Sequence, residues 1–222
     1  MVPDNGRVTT TNLLPLPLAQ RIHAVLPQTQ CTRCGYPDCA AYAQAIATGS
    51  AAINQCPPGG AEGVQRLAAI TGLPALALNA AHGHEGPRSV FVIDEAWCIG
   101  CTLCMKVCPT DAILGSNKVM HTIIEPYCTG CGLCVPVCPV DCISFENVSG
   151  ERTGWQAWSQ HEADTALKSY QIHSIRSIQN KPEGTKKCLV SDVQANTVAE
   201  DRKRAVIQAA LARSRAARQT AA

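Results

Sequence analysis

Aromatic residues are scarce in this 222-residue chain, and charged residues are few. Phe, Trp and Tyr together make up 4% of the sequence and Asp, Glu, Lys and Arg 16%, whereas 46% is hydrophobic. That hydrophobic fraction is typical of a globular protein, but the large rings that contribute most to core burial are nearly missing. We therefore expect something other than aromatic packing to help hold the fold together.

Two further absences narrow the class of protein. No window approaches the roughly 18 to 20 apolar residues of a membrane-spanning helix. The first twenty residues lack the basic stretch and uninterrupted apolar run of an export signal. We therefore expect no integral membrane segment and place the protein in the reducing cytoplasm, where cysteines serve as thiolates for metal rather than as disulfides.

Cysteine, unlike the aromatic residues, is abundant in this chain. The chain has 14 cysteines, and their spacing decides between disulfides, zinc and iron-sulfur clusters. Nine of them fall in an internal repeat of period 30, in which residues 90–116 align without gaps onto 120–146. Over the sixteen positions that begin at the first cysteine of each copy, ten are identical. Each copy predicts a strand, a cysteine loop, a short helix and a second short strand, at 112–113 or 142–143.

Each copy carries the spacing C-x2-C-x2-C-x3-C-P, which is typical of bacterial two-cluster ferredoxins. Three cysteines wrap one [4Fe-4S] cluster, and the fourth enters a helical turn and binds the other cluster. Structural zinc needs neither the third cysteine nor the C-P dipeptide. The sequence therefore predicts two clusters with crossed ligands. One is held by Cys98, Cys101, Cys104 and Cys138, and the other by Cys128, Cys131, Cys134 and Cys108.

Four more cysteines precede the repeat. They are spaced C-x2-C-x4-C-x16-C and are Cys31, Cys34, Cys39 and Cys56. Four thiolates suffice for one more [4Fe-4S] cluster, although this spacing also allows one zinc ion. Helices are predicted around them at residues 18–26, 39–48 and 61–71, from apolar periodicity, good helix formers and glycine stops.

Other residues that could bind metal are expected to play no such part. His82 and His84 lie in a loop, where we expect solvated side chains rather than ligands. Cys142 takes the position that Ala112 has in the first copy, so we expect a small buried side chain and not a ligand. Cys188 lies outside every motif, and we expect an incidental exposed thiol there rather than a reactive one.

The pattern predicts an α+β fold with five segments. A flexible N-terminus (1–17) precedes a small helical four-cysteine iron-sulfur domain (18–72) and a linker (73–89). Next comes a two-cluster bacterial ferredoxin-type domain with pseudo-twofold symmetry (90–147). The last segment is a basic C-terminal tail (148–222), in part helical and in part disordered.

The tail differs from the rest of the chain in charge. Residues 1–150 carry a formal charge of −3, and residues 151–222 carry +5. A basic amphipathic helix is predicted over residues 200–218. Such a helix binds an anionic surface or a protein groove, or is simply a solvated terminal helix, and we favour the last.

The chain resembles the B subunit of the Rnf electron transport complex, also called Rsx, over about residues 18–147. The resemblance rests on the stretches LPQTQCTRCGYPDCAAYAQAIATG and NQCPPGG, followed by VIDEAWCIGC and MHTIIEPYCTGC. It implies that the N-terminal cysteines hold a third [4Fe-4S] cluster. It also implies that the protein relays electrons within an assembly that couples ferredoxin and nicotinamide redox to ion movement.

We therefore expect an electron-transfer protein with three [4Fe-4S] clusters. The first hypothesis is a soluble ferredoxin-like carrier that docks transiently on redox partner proteins. The alternative is a peripheral iron-sulfur subunit held by Rnf/Rsx-type membrane subunits on the inner face of the cell membrane. The sequence contains no dinucleotide-binding glycine fingerprint and no phosphate-binding loop, so we expect no catalysis of its own and no nucleic-acid partner.

Overall fold

The computed structural model describes residues 16–179. Residues 16–175 belong to one compact unit, and residues 176–179, the end of the last helix, to a second. The predicted helix over residues 200–218 and Cys188 lie outside the described residues, as does most of the expected N-terminal segment. Across the described range, no helix is both long and apolar enough to cross a membrane.

Three helices form the N-terminal region, close to the predicted bounds. They are α1 (Leu18–Ala24), α2 (Cys39–Ala47) and α3 (Gly60–Thr71). The Asp38 carboxylate caps α2 by accepting a hydrogen bond from the Ala41 amide at 2.7 Å. Gly72 ends α3 in the left-handed conformation, at a φ of 74°. The core between these helices consists mainly of Ile22, Leu26, Tyr42, Ile46, Val64 and Leu67.

The repeat forms two small antiparallel sheets, so that strands accompany the helices as expected of an α+β fold. The strands are β1 (Ser89–Ile93), β2 (Ile113–Leu114), β3 (Thr122–Ile123) and β4 (Ile143–Asn147). β1 pairs with β4, which sets Ile93 opposite Ile143, and β2 pairs with β3, which sets Ile113 opposite Ile123. Each sheet therefore takes one strand from each copy, and the two copies have to fold together.

The two copies differ at the predicted short helix. The first copy has α4 (Leu103–Val107), in which the Lys106 amide donates to the Thr102 carbonyl at 3.3 Å. The second copy has Pro136 at the position equivalent to Lys106, and proline has no amide hydrogen to donate. Residues 133–137 accordingly form turns, and the prediction of a helix in both copies is wrong for the second.

Part of the predicted tail packs against the N-terminal helices. The chain forms α5 (Gly154–Ala157) and α6 (Gln160–Gln179) after the repeat. The Trp158 indole N–H donates to the Pro27 carbonyl at 2.8 Å. The Arg66 guanidinium lies 3.8 Å from the Trp155 ring centroid, and both tryptophans are buried. Because these rings are taken out of water, the part of the chain that contains them belongs to the folded body.

Replacing Trp158 with Ala should lower the free energy of unfolding by about 3 to 5 kcal/mol. The change removes a buried ring and leaves the Pro27 carbonyl without its donor. The measurement is anaerobic urea unfolding of the purified protein, followed by far-UV circular dichroism. Gln156→Ala, at an exposed neighbouring position, is the control and should change stability by less than about 0.5 kcal/mol. Equal stability of Trp158→Ala and the original protein would contradict the packing role.

Candidate metal centres

One cavity brings together cysteines from both copies of the repeat. The cysteines that line it are Cys98, Cys101, Cys104 and Cys138. The first three come from the loop after β1 and from α4, whereas Cys138 belongs to the second copy and precedes β4. We call this group the Cys98 set.

A second cavity repeats the arrangement with the copies exchanged. Its cysteines are Cys128, Cys131, Cys134 and Cys108, which we call the Cys128 set. Burial raises the pKa of Cys134 to about 12, and the neighbouring Cys131, Cys128 and Cys108 contribute to the rise. Cys108 therefore lies within electrostatic reach of thiols of the other copy, as crossed ligation requires.

Glycines at equivalent positions let both cysteine loops pass close to neighbouring backbone. Gly100 and Gly130 have φ values of 68° and 69°, which favour glycine. A Cβ atom on Gly100 would lie 2.5 Å from the Val119 amide nitrogen, and one on Gly130 would collide with the Ser89 carbonyl oxygen. Because Ser89 and Val119 are themselves equivalent in the repeat, the same close approach positions both loops.

The N-terminal cysteines lie close to one another at the start of α2 and before α3. The Cys39 amide donates to the Gln30 side-chain oxygen at 2.9 Å. Burial raises the pKa of Cys39 to about 12, with Cys31 and Cys34 adding to the rise. Burial also raises the pKa of Cys56, followed by the effects of Cys39, Cys31 and Cys34. All four thiols are therefore within electrostatic reach of each other.

The chemistry of these thiols fits iron-sulfur clusters. Buried thiolates that repel each other need a cationic partner to remain ionised. Within residues 16–179, no group of three or more His, Cys, Asp or Glu side chains has the arrangement that holds a metal ion. The cysteines of a [4Fe-4S] cluster each bind a different iron, so they surround a volume instead of converging on one point. Both cavities in the repeat have this form.

Cys142 also lines the cavity of the Cys98 set. Its Sγ lies 3.5 Å from the Cys138 Sγ. Burial, followed by the hydrogen bond to Cys138, raises the pKa of Cys142 to about 12. Burial alone would raise the pKa of Cys138, but hydrogen bonds from the Val140 amide and from the amide and thiol of Cys142 lower it. The Cys142 and Cys138 sulfurs are therefore within hydrogen-bonding distance of each other.

Neither linker histidine lines the cavities of the two cysteine sets of the repeat. The Nδ1 atom of His82 is 3.2 Å from the Arg33 carbonyl oxygen. His84 is exposed and lines a cavity of about 280 Å³ between the N-terminal region and the repeat. No cysteine is among the residues lining that cavity in the described chain.

His121, which no sequence motif singled out, directly precedes β3 and is 1% exposed. Its Nδ1 atom is 3.6 Å from the Cys98 Sγ and 3.8 Å from the Cys104 Sγ. Its backbone amide donates to the Cys98 Sγ at 3.3 Å. The repeat aligns His121 with Phe91, so the available signal was a polar residue at a position that is apolar in the other copy.

The N-terminal cysteine loop adjoins the loop of the Cys128 set. The buried Thr129 hydroxyl donates to the Thr29 carbonyl at 3.0 Å. The Arg88 guanidinium donates to the Cys128 carbonyl at 3.2 Å and lies 4.7 Å from the Trp158 ring centroid. These contacts join the N-terminal region, the repeat and α5 in one body.

Two family models match the chain in its two cysteine-rich regions. A model described as "4Fe-4S dicluster domain" matches residues 91–145, and one described as "Putative Fe-S cluster" matches residues 26–58. Together with the cavities, these matches confirm iron-sulfur clusters as the cofactor class predicted from the cysteine spacing.

The chain is also similar to proteins named as the B subunit of an ion-translocating oxidoreductase complex. It is 59% identical over 108 residues to the protein of Azoarcus sp. strain BH72 and 60% identical over 108 residues to that of Thiobacillus denitrificans. These alignments cover 49% of this chain and 59% and 57% of those relatives, so less than two thirds of their length is matched. With the protein of Alkalilimnicola ehrlichii it is 51% identical over 154 residues, which are 68% of this chain and 82% of that protein. The resemblance to the B subunit of the Rnf complex is thereby confirmed, and the chain belongs to the B-subunit family of ion-translocating oxidoreductase complexes.

Proposed function

We propose that the chain is an electron-transfer protein that holds three [4Fe-4S] clusters on twelve cysteines. The Cys98 set, the Cys128 set and the four N-terminal cysteines would each hold one cluster. When bound, such clusters take up and release single electrons. The observation that carries the proposal is the pair of cavities, each lined by three cysteines of one copy and one cysteine of the other.

The chain's own groups favour the thiolate form of these ligands. The Ala112 amide donates to the Cys108 Sγ at 3.2 Å, and the His121 amide donates to the Cys98 Sγ. Hydrogen bonds to a charged sulfur stabilise it. Apolar side chains on both cavities, such as Ile93 and Ile113, limit the access of water.

We also propose that the repeat domain has pseudo-twofold symmetry over residues 90–147. The exchanged strand pairing of β1 with β4 and of β2 with β3 supports it, as do the equivalent close approaches at Gly100 and Gly130. A small four-cysteine domain over residues 18–72 precedes the repeat. The hydrogen bond between Thr129 and Thr29 supports a position of this domain beside the Cys128 set.

The partners we propose are the other subunits of an ion-translocating oxidoreductase complex. The relatives' names place them in such a complex, and a peripheral iron-sulfur subunit on the inner face of the membrane fits the proposed cluster content. A freely soluble carrier with transient redox partners is the second candidate. Both candidates need the same clusters, so co-purification has to separate them.

A tagged copy of the chain, expressed in its native cells at natural level, should co-purify with membrane proteins after mild detergent extraction. The expected result is a set of membrane subunits present in constant ratio to the chain. Extraction of cells that carry the tag alone is the control. Recovery of the chain by itself from the soluble fraction would contradict the complex and favour the carrier.

Anaerobically purified protein should contain about twelve iron and twelve sulfide per chain, with little zinc, because three sets of four cysteines would each hold a [4Fe-4S] cluster. Metal and sulfide analysis gives the stoichiometry, and EPR of the dithionite-reduced protein gives the cluster type. A measured content of about eight iron per chain would contradict the proposed N-terminal cluster. Zinc in place of the missing iron would assign the four N-terminal cysteines to a zinc site.

Cys108→Ser should perturb the cluster of Cys128, Cys131 and Cys134, although Cys108 belongs to the other copy. Cys138→Ser should in turn perturb the cluster of Cys98, Cys101 and Cys104. The reason is crossed ligation, by which each copy supplies the fourth thiolate of the other's cluster. Paramagnetic NMR measures the outcome through the cysteine β-proton resonances of each set.

Cys142→Ala is the matched control for these serine variants. Its Sγ is 3.5 Å from that of Cys138, yet the equivalent residue of the first copy is Ala112, so iron content should not change. Serine variants that shift the resonances of their own copy's set would overturn the crossed assignment. Loss of a cluster in Cys142→Ala would show that the fifth thiol is itself a ligand.

A further inference from the structure

The two cavities of the repeat differ in the side chains at equivalent positions. His121 lines the cavity of the Cys98 set, and its counterpart Phe91 lines that of the Cys128 set. Cys142 lines the first cavity, and its counterpart Ala112 the second. The side chains of Phe91 and Ala112 carry no polar hydrogen, whereas those of His121 and Cys142 do. At these two positions the side-chain donors thus lie at the Cys98 set, whereas the hydroxyls of Thr110 and Thr129 line the other cavity.

Packing fixes the imidazole ring of His121 against the sulfurs. A Cβ atom on Gly115 would collide with the ring, so the absence of a side chain there makes room for it. At the equivalent place in the other sheet, Phe145 contacts Phe91 with a ring separation of 6.2 Å. The exchange of a Phe–Phe pair for a Gly–His pair therefore brings a polar ring to one cavity only at these positions.

The tautomer of His121 follows from its surroundings. Its Nε2 atom is buried and has no hydrogen-bond partner within the described residues. In the described part of the chain Nε2 lacks a partner in either tautomer, but a proton there would also point the Nδ1 lone pair at the electron-rich sulfurs. A proton on Nδ1 instead lets the ring direct its one hydrogen towards the Sγ atoms of Cys98 and Cys104, which lie 3.6 and 3.8 Å away.

Hydroxyl groups near the Cys128 set are already engaged as donors. The Thr110 Oγ1 is 3.9 Å from the Cys108 Sγ, but it donates its hydrogen to the Tyr127 carbonyl at 2.8 Å. Thr129, beside Cys131, donates to the Thr29 carbonyl. Each hydroxyl has one hydrogen, so a bond from Thr129 to the Cys131 sulfur, which lowers the pKa of that thiol, competes with its bond to the Thr29 carbonyl.

We propose that His121 is a positioning residue that raises the reduction potential of the cluster on the Cys98 set. The inference rests on the proposed cluster binding. Reduction adds negative charge to a cluster and its thiolates, so a hydrogen bond to their sulfur stabilises the reduced form more than the oxidised form.

The test is a redox titration of the purified full-length protein followed by paramagnetic NMR, which assigns each transition to a cysteine set. His121→Leu should shift the oxidised-to-reduced ratio of the Cys98-set cluster at least tenfold towards oxidised at a fixed potential, about 59 mV for one electron. His121→Asn, which keeps an N–H donor near the Nδ1 position, should restore most of the loss. Phe91→Leu, the matched change in the other copy, should leave the Cys98-set potential unchanged.

Iron content is measured for every variant, so that cluster loss and potential change are read separately. Full iron content with an unchanged potential in His121→Leu would overturn the proposal. Equal shifts in His121→Leu and His121→Asn would overturn it too, since the hydrogen bond would not be the cause. Loss of the cluster from both variants would make His121 structural and overturn the tuning role. An original protein without clusters would overturn the proposed function, and with it this inference.

Discussion

The exchange of strands between the two copies of the repeat is the constraint on which the rest of this domain depends. β1 can complete its hydrogen bonds only with β4, and β2 only with β3. The same exchange carries Cys138 to the cavity of the first copy's cysteines and Cys108 to that of the second. Backbone pairing and the grouping of thiols therefore depend on the same exchange. Either copy alone would have unpaired strand edges and an incomplete set of four cysteines.

The grouping of buried thiols sets a second condition. Burial raises the pKa of Cys39, Cys134 and others, and neighbouring thiols raise it further. A chain with few aromatic residues thus fills much of its interior with groups that resist ionisation until a cationic partner binds. Binding of such a partner contributes directly to folding, which agrees with the small apolar core between the two sheets.

The two copies share their cysteine spacing but differ in other residues. Pro136 of the second copy lacks the amide hydrogen that Lys106 donates in α4 of the first. His121 and Cys142 line one cavity, whereas Phe91 and Ala112 line the other. The two copies thus share the cysteine framework, while the residues around it differ.

The sequence by itself determined the cofactor class, the α+β character of the repeat and the family, because these depend on cysteine spacing and on a period that is visible in one dimension. It also predicted the three N-terminal helices, whose caps and glycine stops are local signals. Only the tertiary structure decided which residues surround the sulfurs and where the chain after the repeat packs. Trp158 donates to Pro27 across 131 residues, and His121 reaches Cys98 across 23. No periodicity encodes such contacts, since they arise where separate elements meet, and the sequence patterns did not single out the histidine.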